Sequence, residues 1–275
     1  MLRVLTYNLL EGGRDRTMGD RTEPIVEAMR ELTPDVAAFI EANGFDQAER
    51  RRVFEDATKM QAFVTPAGSG FHVAILVANG LEVESHGPEH GKFFHAAGSV
   101  VIDLPGKAVK GSSTVARRLT VVAAHLDPFS PEARLAEARI LARHANPQER
   151  VLLMGDFNEL PPEDAADPSI RQLPRRILAR HVGVPVQGDG AIDTRAHDLL
   201  RWAGFQDVYR KLNARKPGWT LLTTRFAAEL RSRMRIDFIY ATEKLASKAT
   251  RCEVIESDAT RRASDHYPIV AEFDV

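Results

Sequence analysis

What the chain lacks narrows it first. It carries one cysteine, Cys252, in 275 residues. That excludes an internal disulfide framework and the cysteine-rich zinc ribbons that need several thiolates. No apolar run approaches the roughly 18 residues that can cross a bilayer. The opening MLRVLTYNLLEGG is too interrupted by polar residues to read as a signal peptide. No stable membrane insertion and a reducing, cytoplasmic setting are therefore expected. Neither sign of charge is in excess: 37 Lys and Arg stand against 38 Asp and Glu, for a net charge of −1. Domains that grip long nucleic acid by bulk charge are clearly basic, so that mode is excluded, although a local basic patch is not. RQLPRRILARH (171–181), RFAAELRSRMR (225–235) and TRR (260–262) could supply such a patch; taken alone, solvated arginines are the simpler reading. Low-complexity linkers and short repeats are also missing. Hydrophobic content of 44% and charged content of 27% are ordinary for a globular chain. A chain of this size can bury about 70–75% of its unfolded surface without a staple, so one domain over residues 1–275 is expected.

Strands and helices alternate along the chain. LRVLTYN (2–8), DVAAFIE (35–41), RRLTVVAAHL (117–126) and VLLMGD (151–156) are apolar runs with the length of buried strands. FHVAILVA (71–78), LEVES (81–85) and GSVVIDL (98–104) read as a strand meander, and RIDFIYA (235–241), RCEVIES (251–257) and PIVAEFDV (268–275) close the chain as strands. Helical period marks PIVEAMREL (24–32), FDQAERRRVFEDATKM (45–60), PEARLAEARILARHA (131–145) and TRAHDLLRWAG (194–204). Pro24 sits in a first turn, Ser130 is placed to cap, and Gly204 is placed to terminate. Residues 159–193 are rich in Pro, Asp and Gly, with a short basic helix, and a long irregular segment of this kind is often functional. The pattern is that of a mixed α/β fold with helices outside packed sheets.

Polar residues collect where these strands end. Asn8 ends the first, Glu41 the second, His125 a third, and Asp156 and Asn158 a fourth. Asp237 interrupts RIDFIYA, and Ser264, Asp265 and His266 precede the last strand. Each alone has a plain explanation: an Asx turn at Asn8 or Asp156, a pair between Asp237 and Arg235, an exposed imidazole at His266. Together they do not, because an unpaired polar group at a buried strand end costs about 1–3 kcal/mol, and so many such costs imply a shared polar site. Its carboxylates, amides and imidazoles form a hard-cation donor set, suited to magnesium, manganese or calcium.

NLLEGG after an opening strand, a strand-end glutamate, HLD, GDFN, RIDFI and SDHYPI occur here in the order found in the endonuclease/exonuclease/phosphatase superfamily, which the chain resembles from Asn8 to His266. The resemblance implies a four-layered α/β/β/α sandwich, two packed mixed sheets flanked by helices. It also implies metal-assisted cleavage of a phosphate ester, with nucleic acid or a small phosphodiester as substrate. Two positions depart from the pattern. Ile40 stands where the family glutamate is usually preceded by glutamine, and His125 stands where abasic-site nucleases carry tyrosine. A histidine there is more similar to the deoxyribonuclease and sphingomyelinase branches.

On this resemblance Glu41 is the leading metal ligand, assisted by Asn8 and Asp265, with magnesium the expected ion. Asp156 orients or deprotonates the attacking water and Asn158 fixes water or phosphate. His266 contacts the phosphate, with Asp237 holding its imidazole, and His125 donates to the phosphate or protonates the leaving group. A non-catalytic phosphate-binding module on the same fold is the competing expectation, and the completeness of the polar set argues against it. SHGPEHGKFFH places His86, His90 and His95 close together, but without a spaced partner they read as exposed loop histidines rather than zinc ligands. Cys252 is expected to pack, and GSG (68–70) and KGSS (110–113) to form turns. Trp219 is expected either to line a pocket or to anchor its loop.

Overall fold

Two packed sheets follow from where the apolar strands put their side chains. The computed structural model describes residues 1–105, 117–183, 190–223 and 233–275. KGSS and most of the 225–235 basic stretch lie outside the described residues. In chain order the strands are β1 (Leu2–Asn8), β2 (Arg14–Asp15), β3 (Gly19–Asp20), β4 (Val36–Ile40), β5 (Met60–Thr65), β6 (Val73–Ala78), β7 (Glu82–Pro88), β8 (Ala96–Asp103), β9 (Arg118–His125), β10 (Arg150–Asp156), β11 (Phe205–Asp207), β12 (Asp237–Thr242), β13 (Ala249–Val254) and β14 (Ile269–Phe273). The α-helices are α1 (Thr22–Leu32), α2 (Ala48–Thr58), α3 (Pro131–Leu141), α4 (Arg175–Leu178), α5 (Arg195–Ala203), α6 (Val208–Leu212), α7 (Glu243–Ala246) and α8 (Asp258–Ala263).

One six-stranded sheet runs β13-β14-β1-β4-β6-β5 and the other β11-β12-β10-β9-β8-β7. Each has a parallel pair at its centre, β1 with β4 and β9 with β10, flanked by antiparallel neighbours. Side chains of period two divide the strands between layers. Val4, Val36 and Ala38 of the first sheet meet Val121, Leu152 and Ile239 of the second in the central core. Their neighbours Leu5, Tyr7 and Phe39 face α1 and α2 through Ile25, Met29 and Phe54. Val122, Leu153 and Tyr240 face α3 and α5 through Ala138, Leu141 and Leu200. The result is the four-layered α/β/β/α sandwich, with both sheets buried on two faces, which is why their central strands read as continuous apolar runs.

The register sets the site. Asn8 pairs with Ile40, so β1 and β4 end together. Asp156 lies opposite His125 on one side and Asp237 on the other. Gly155 is needed beside Asp156: it has φ +145, and a Cβ there would fall 1.9 Å from the Ala124 carbonyl oxygen. The expected caps are present, Ser130 accepting from the Ala133 N–H and Gly204 ending α5 in the left-handed region.

Three expectations change. The 71–104 stretch is not a simple meander, because β6 belongs to the first sheet while β7 and β8 belong to the second. The helix expected over 45–60 stops at Thr58, and Met60–Thr65 forms an edge strand whose alternation is too weakly apolar to announce itself. The helix over 131–145 ends at Leu141 and tightens into a 3-10 turn over Ala142–His144.

Candidate active site

The polar strand ends converge on one floor. Asn8 sits at the end of β1 and donates from Nδ2 to Asp156 Oδ2 at 3.0 Å and to Glu41 Oε1 at 3.3 Å. Its own Oδ1 accepts the Leu10 N–H at 3.0 Å, the Asx turn expected of a strand-end asparagine. Glu41 follows β4 with φ +55, an uncommon conformation for a non-glycine residue, and accepts the Glu11 N–H at 2.8 Å. Asp156 accepts the Asn158 N–H at 2.9 Å. Asn158, also at positive φ, ties its Nδ2 to the Leu126 carbonyl at 2.9 Å. His266 faces Asp237 across a 2.7 Å contact at Nδ1, while its Nε2 lies 3.9 Å from Asp156 and 4.0 Å from Asp265. His125 places Nε2 3.8 Å from Asp156. Ser264 donates to the Asn8 carbonyl at 2.7 Å and accepts the His266 N–H at 3.2 Å, locking β1 to the SDHYP loop. Thr220 Oγ1 accepts the N–H groups of Ile236 and Asp237 at 3.2 Å.

Electrostatics divides the two histidines. Burial alone would lower His266, but the carboxylates of Asp237, Asp265 and Asp156 outweigh it and hold the imidazole well above its usual value. His125 goes the other way: burial, His95 and His266 all push it well below, so it stays neutral. Asp156 is pushed up by burial and then by Asp237, against the pull of His266 and its hydrogen bonds. Glu41 is raised by burial and by Asp265.

Asp156, Asp237 and His266 offer ligand atoms that lie within 4.8 Å of one another. Two unit charges so spaced repel by about 3–4 kcal/mol at an effective dielectric of about 20. Four carboxylates, Glu41, Asp156, Asp237 and Asp265, face one imidazolium here. A divalent cation is the species that removes this excess, and oxygen donors are what a hard cation takes. The donor set therefore fits the metal implied by its motifs. Asp237 gives Oδ2 to His266 but keeps a buried Oδ1 without a partner, so it stands beside Glu41, Asn8, Asp265 and Asp156 among the oxygens that could face a cation.

The floor opens into a cleft of about 530 Å³ whose lining includes Glu41, His125, Asp156, Asn158, Asp265 and His266. The sequence profile of the endonuclease/exonuclease/phosphatase family matches residues 5–266. The chain belongs to the endonuclease/exonuclease/phosphatase family. As a member it is a metal-dependent phosphoesterase, and the expectation of a non-catalytic module is not favoured. No curated protein sequence matches the chain. Solved structures with the same fold include an AP endonuclease from Archaeoglobus fulgidus, 20% identical over 100% of both chains with a TM-score of 0.65. A truncated Caenorhabditis elegans TDP2 is 18% identical over 100% of this chain and 97% of that one, with a TM-score of 0.67. The 3′ phosphatase NExo from Neisseria, bound to a product DNA hairpin, is 16% identical over 100% of both chains with a TM-score of 0.70. Among the described residues no helix is long and apolar enough to cross a membrane.

All eight site residues expected of this family member, Asn8, Glu41, His125, Asp156, Asn158, Asp237, Asp265 and His266, come together on this floor. Asp237 is not paired with Arg235: that arginine is buried against Asp207 at 2.7 Å, freeing Asp237 for His266. His95 is not an exposed loop histidine. It is buried, stacked on His125 with ring centroids 4.1 Å apart, and contacts Ser69 through Nδ1 at 2.8 Å; His90 is exposed in a loop as expected, while His86 is exposed but lies within β7, paired with Val100. Trp219 lines a separate groove beside Tyr209 and Asn213 rather than the cleft. Cys252 packs in β13. Of the basic stretches, 171–181 brings Arg176 and Arg180 to the cleft wall, while Arg262 of 260–262 pairs with Glu27 and Asp258. Thr220, Phe94 and Phe129 escape a sequence reading, because their contribution is a backbone contact or a wall position with no local motif, and the motifs that contain Glu11 and His95 do not announce the contacts those residues make.

Proposed function

We propose that residues 1–275 act as one catalytic domain that hydrolyses a phosphodiester, in nucleic acid or a small molecule, by in-line attack of water with magnesium as the ion. The observation that carries this reading is the carboxylate-rich floor itself: Glu41, Asn8 and Asp265 lie beside Asp156, Asn158 and His266 in one open cleft. Glu41, Asn8 and Asp265 would hold the cation, which supplies Lewis-acid neutralisation of a phosphate oxygen. Asp156 is held by Asn8 on one oxygen and the Asn158 amide on the other, so its carboxylate is aimed and cannot rotate. Its raised basicity suits it to take a proton from the attacking water. His266 donates Nδ1–H to Asp237, which fixes the ring and leaves Nε2–H for a non-bridging phosphate oxygen. His125 is kept neutral, which favours hydrogen-bond donation to the phosphate over delivery of a spare proton. Asn158 presents its carboxamide beside them to order water or phosphate.

Hydrolysis of bis-p-nitrophenyl phosphate that requires magnesium and stops on chelation tests the reading. Asp156→Asn should lower turnover by about 10²–10⁴-fold, the usual contribution of a general base, with an unchanged thermal midpoint. Near-wild-type turnover in that variant overturns the assignment.

A further inference from the structure

A ladder of rings leads from the reacting centre to the surface. His125 on the floor stacks on His95 at 4.1 Å. His95 meets Phe94 edge to face at 4.8 Å, and Phe94 meets Phe129 edge to face at 5.4 Å. The Arg180 guanidinium covers part of Phe129, 5.1 Å from its ring centre. The two outer rings are open, Phe94 by 45% and Phe129 by 52%, and both line the cleft.

Exposed phenylalanines on a loop are usually mobile, but these are anchored. One buried carboxylate, Glu137 of α3, accepts the Phe94 N–H through one oxygen and the Asp127 N–H through the other, each at 2.7 Å. Asp127 in turn accepts the Phe129 N–H at 2.7 Å and the Ser130 N–H at 2.8 Å. Arg134 donates to the Asp127 carbonyl at 3.0 Å and to the Arg180 carbonyl at 2.6 Å, so the arginine-bearing segment is tied to the same helix. Buried charge is thus used to hold two apolar rings in solvent, which a fold gains nothing from unless the rings meet something. Arg176 and Arg180 line the same wall, Arg180 resting on the Phe129 ring.

Flat rings beside the reacting phosphate, flanked by cations, match a chain of bases and phosphates. Resting on the phosphoesterase reading above, we propose that Phe94 and Phe129, set nearly perpendicular, form an aromatic corner that seats an unpaired nucleobase next to the scissile phosphate, its face on one ring and its edge on the other, with Arg176 and Arg180 on the adjoining backbone phosphate, so that the substrate is single-stranded nucleic acid. A base in a duplex is already stacked on both faces and cannot lie on the wall. Aromatic stacking tolerates any base, so sequence preference is weak. A phospholipid would leave both cations without a partner along its acyl chains.

The test reads a ratio. Activity with magnesium is measured on a single-stranded oligonucleotide and on the same strand carrying tetrahydrofuran in place of every nucleoside. Phe94→Ala and Phe129→Ala should each lower kcat/KM on the base-bearing strand by about ten-fold, mostly through KM, and leave kcat/KM on the base-free strand unchanged, so that the ratio collapses; Phe129→Trp should restore it. Trp202→Ala, an exposed ring on α5 outside the cleft, should leave the ratio unchanged. A second measurement needs no turnover: fluorescence anisotropy of the labelled oligonucleotide in chelator, where wild type should bind the base-bearing strand about ten-fold tighter than the base-free one and the alanine variants should not. Equal losses on both strands, equal binding of both by wild type, or turnover of sphingomyelin or phosphatidylcholine vesicles lost in the same variants each overturns the aromatic corner. Loss of bis-p-nitrophenyl phosphate hydrolysis in wild type, with base-dependent binding intact, would instead overturn the phosphoesterase reading.

Discussion

His197 gives the sharpest forecast of how pH acts on this fold. It lies in α5, fully buried, with its Nδ1 2.8 Å from the Tyr240 hydroxyl and its Nε2 3.1 Å from the Glu159 carbonyl. A carbonyl oxygen can only accept, so Nε2 carries the proton and Nδ1 accepts from Tyr240. A second proton would have to displace the tyrosine hydroxyl hydrogen in a site stripped of water. Burial accordingly lowers His197 from 6.5 to about 3, against an opposing pull from the Glu159 carbonyl. The sign follows directly. The folded state resists a proton that the unfolded chain takes up below about 6.5, so stability is full above that pH and falls as pH drops toward the folded value. Between pH 7 and 4.5 this one group should remove about 2.5 kcal/mol, approaching about 1.4 kcal/mol per pH unit. The assay is urea unfolding at intervals from pH 7 to 4.5, comparing wild type with His197→Gln. The variant starts less stable, and its curve should be flatter by about that amount over the same range, because other buried histidines contribute equally to both. Parallel curves, or an imidazole proton resonance of folded His197 that titrates near 6.5, would refute the reasoning.

Two further perturbations probe the floor. Glu41→Gln keeps the shape and removes the charge, so half-saturation by magnesium, followed by calorimetry, should move up by at least about ten-fold, and an unchanged isotherm would remove Glu41 from the ligand set. Gly155→Ala should destabilise the fold by about 3 kcal/mol or more in a thermal melt, since the new Cβ overlaps the Ala124 carbonyl and φ +145 disfavours any side chain; a melting point within a degree of wild type would contradict that geometry.

The architecture was legible because the two central parallel pairs are covered on both faces. VAAFI and VLLM are apolar without a break, so a strand reading has no rival once their lengths are counted. The edges were not legible. MQAFVT is half exposed and carries a glutamine, and after a charged helix it looks like more helix. Membership of one sheet or the other was equally hidden: β6 and β7 are joined by a tight turn and yet hydrogen-bond into different sheets, a choice made by non-local pairing. At the site, each residue of the floor stood out as a polar group where an apolar strand stops. His95, Phe94 and Phe129 did not, since a histidine and two phenylalanines in a polar loop are ordinary until α3 is known to hold them.

The sequence by itself determined which groups this protein could bring to a phosphate: Glu41, Asp156, Asp237, His266 and their companions are too costly at strand ends to be anything but shared. The tertiary structure alone decided which of them touch, and with what protonation. Arg235 neighbours Asp237 in the chain and ignores it for Asp207; His266 and His125 are the same residue in the same cleft, one charged and one neutral. The reason is that Arg235 precedes β12, where strand alternation does not yet set side-chain direction, and turns inward to Asp207, while a carboxylate 2.7 Å away or a stacked imidazole 4.1 Å away acts through space, in a buried setting where such contacts outweigh solvation.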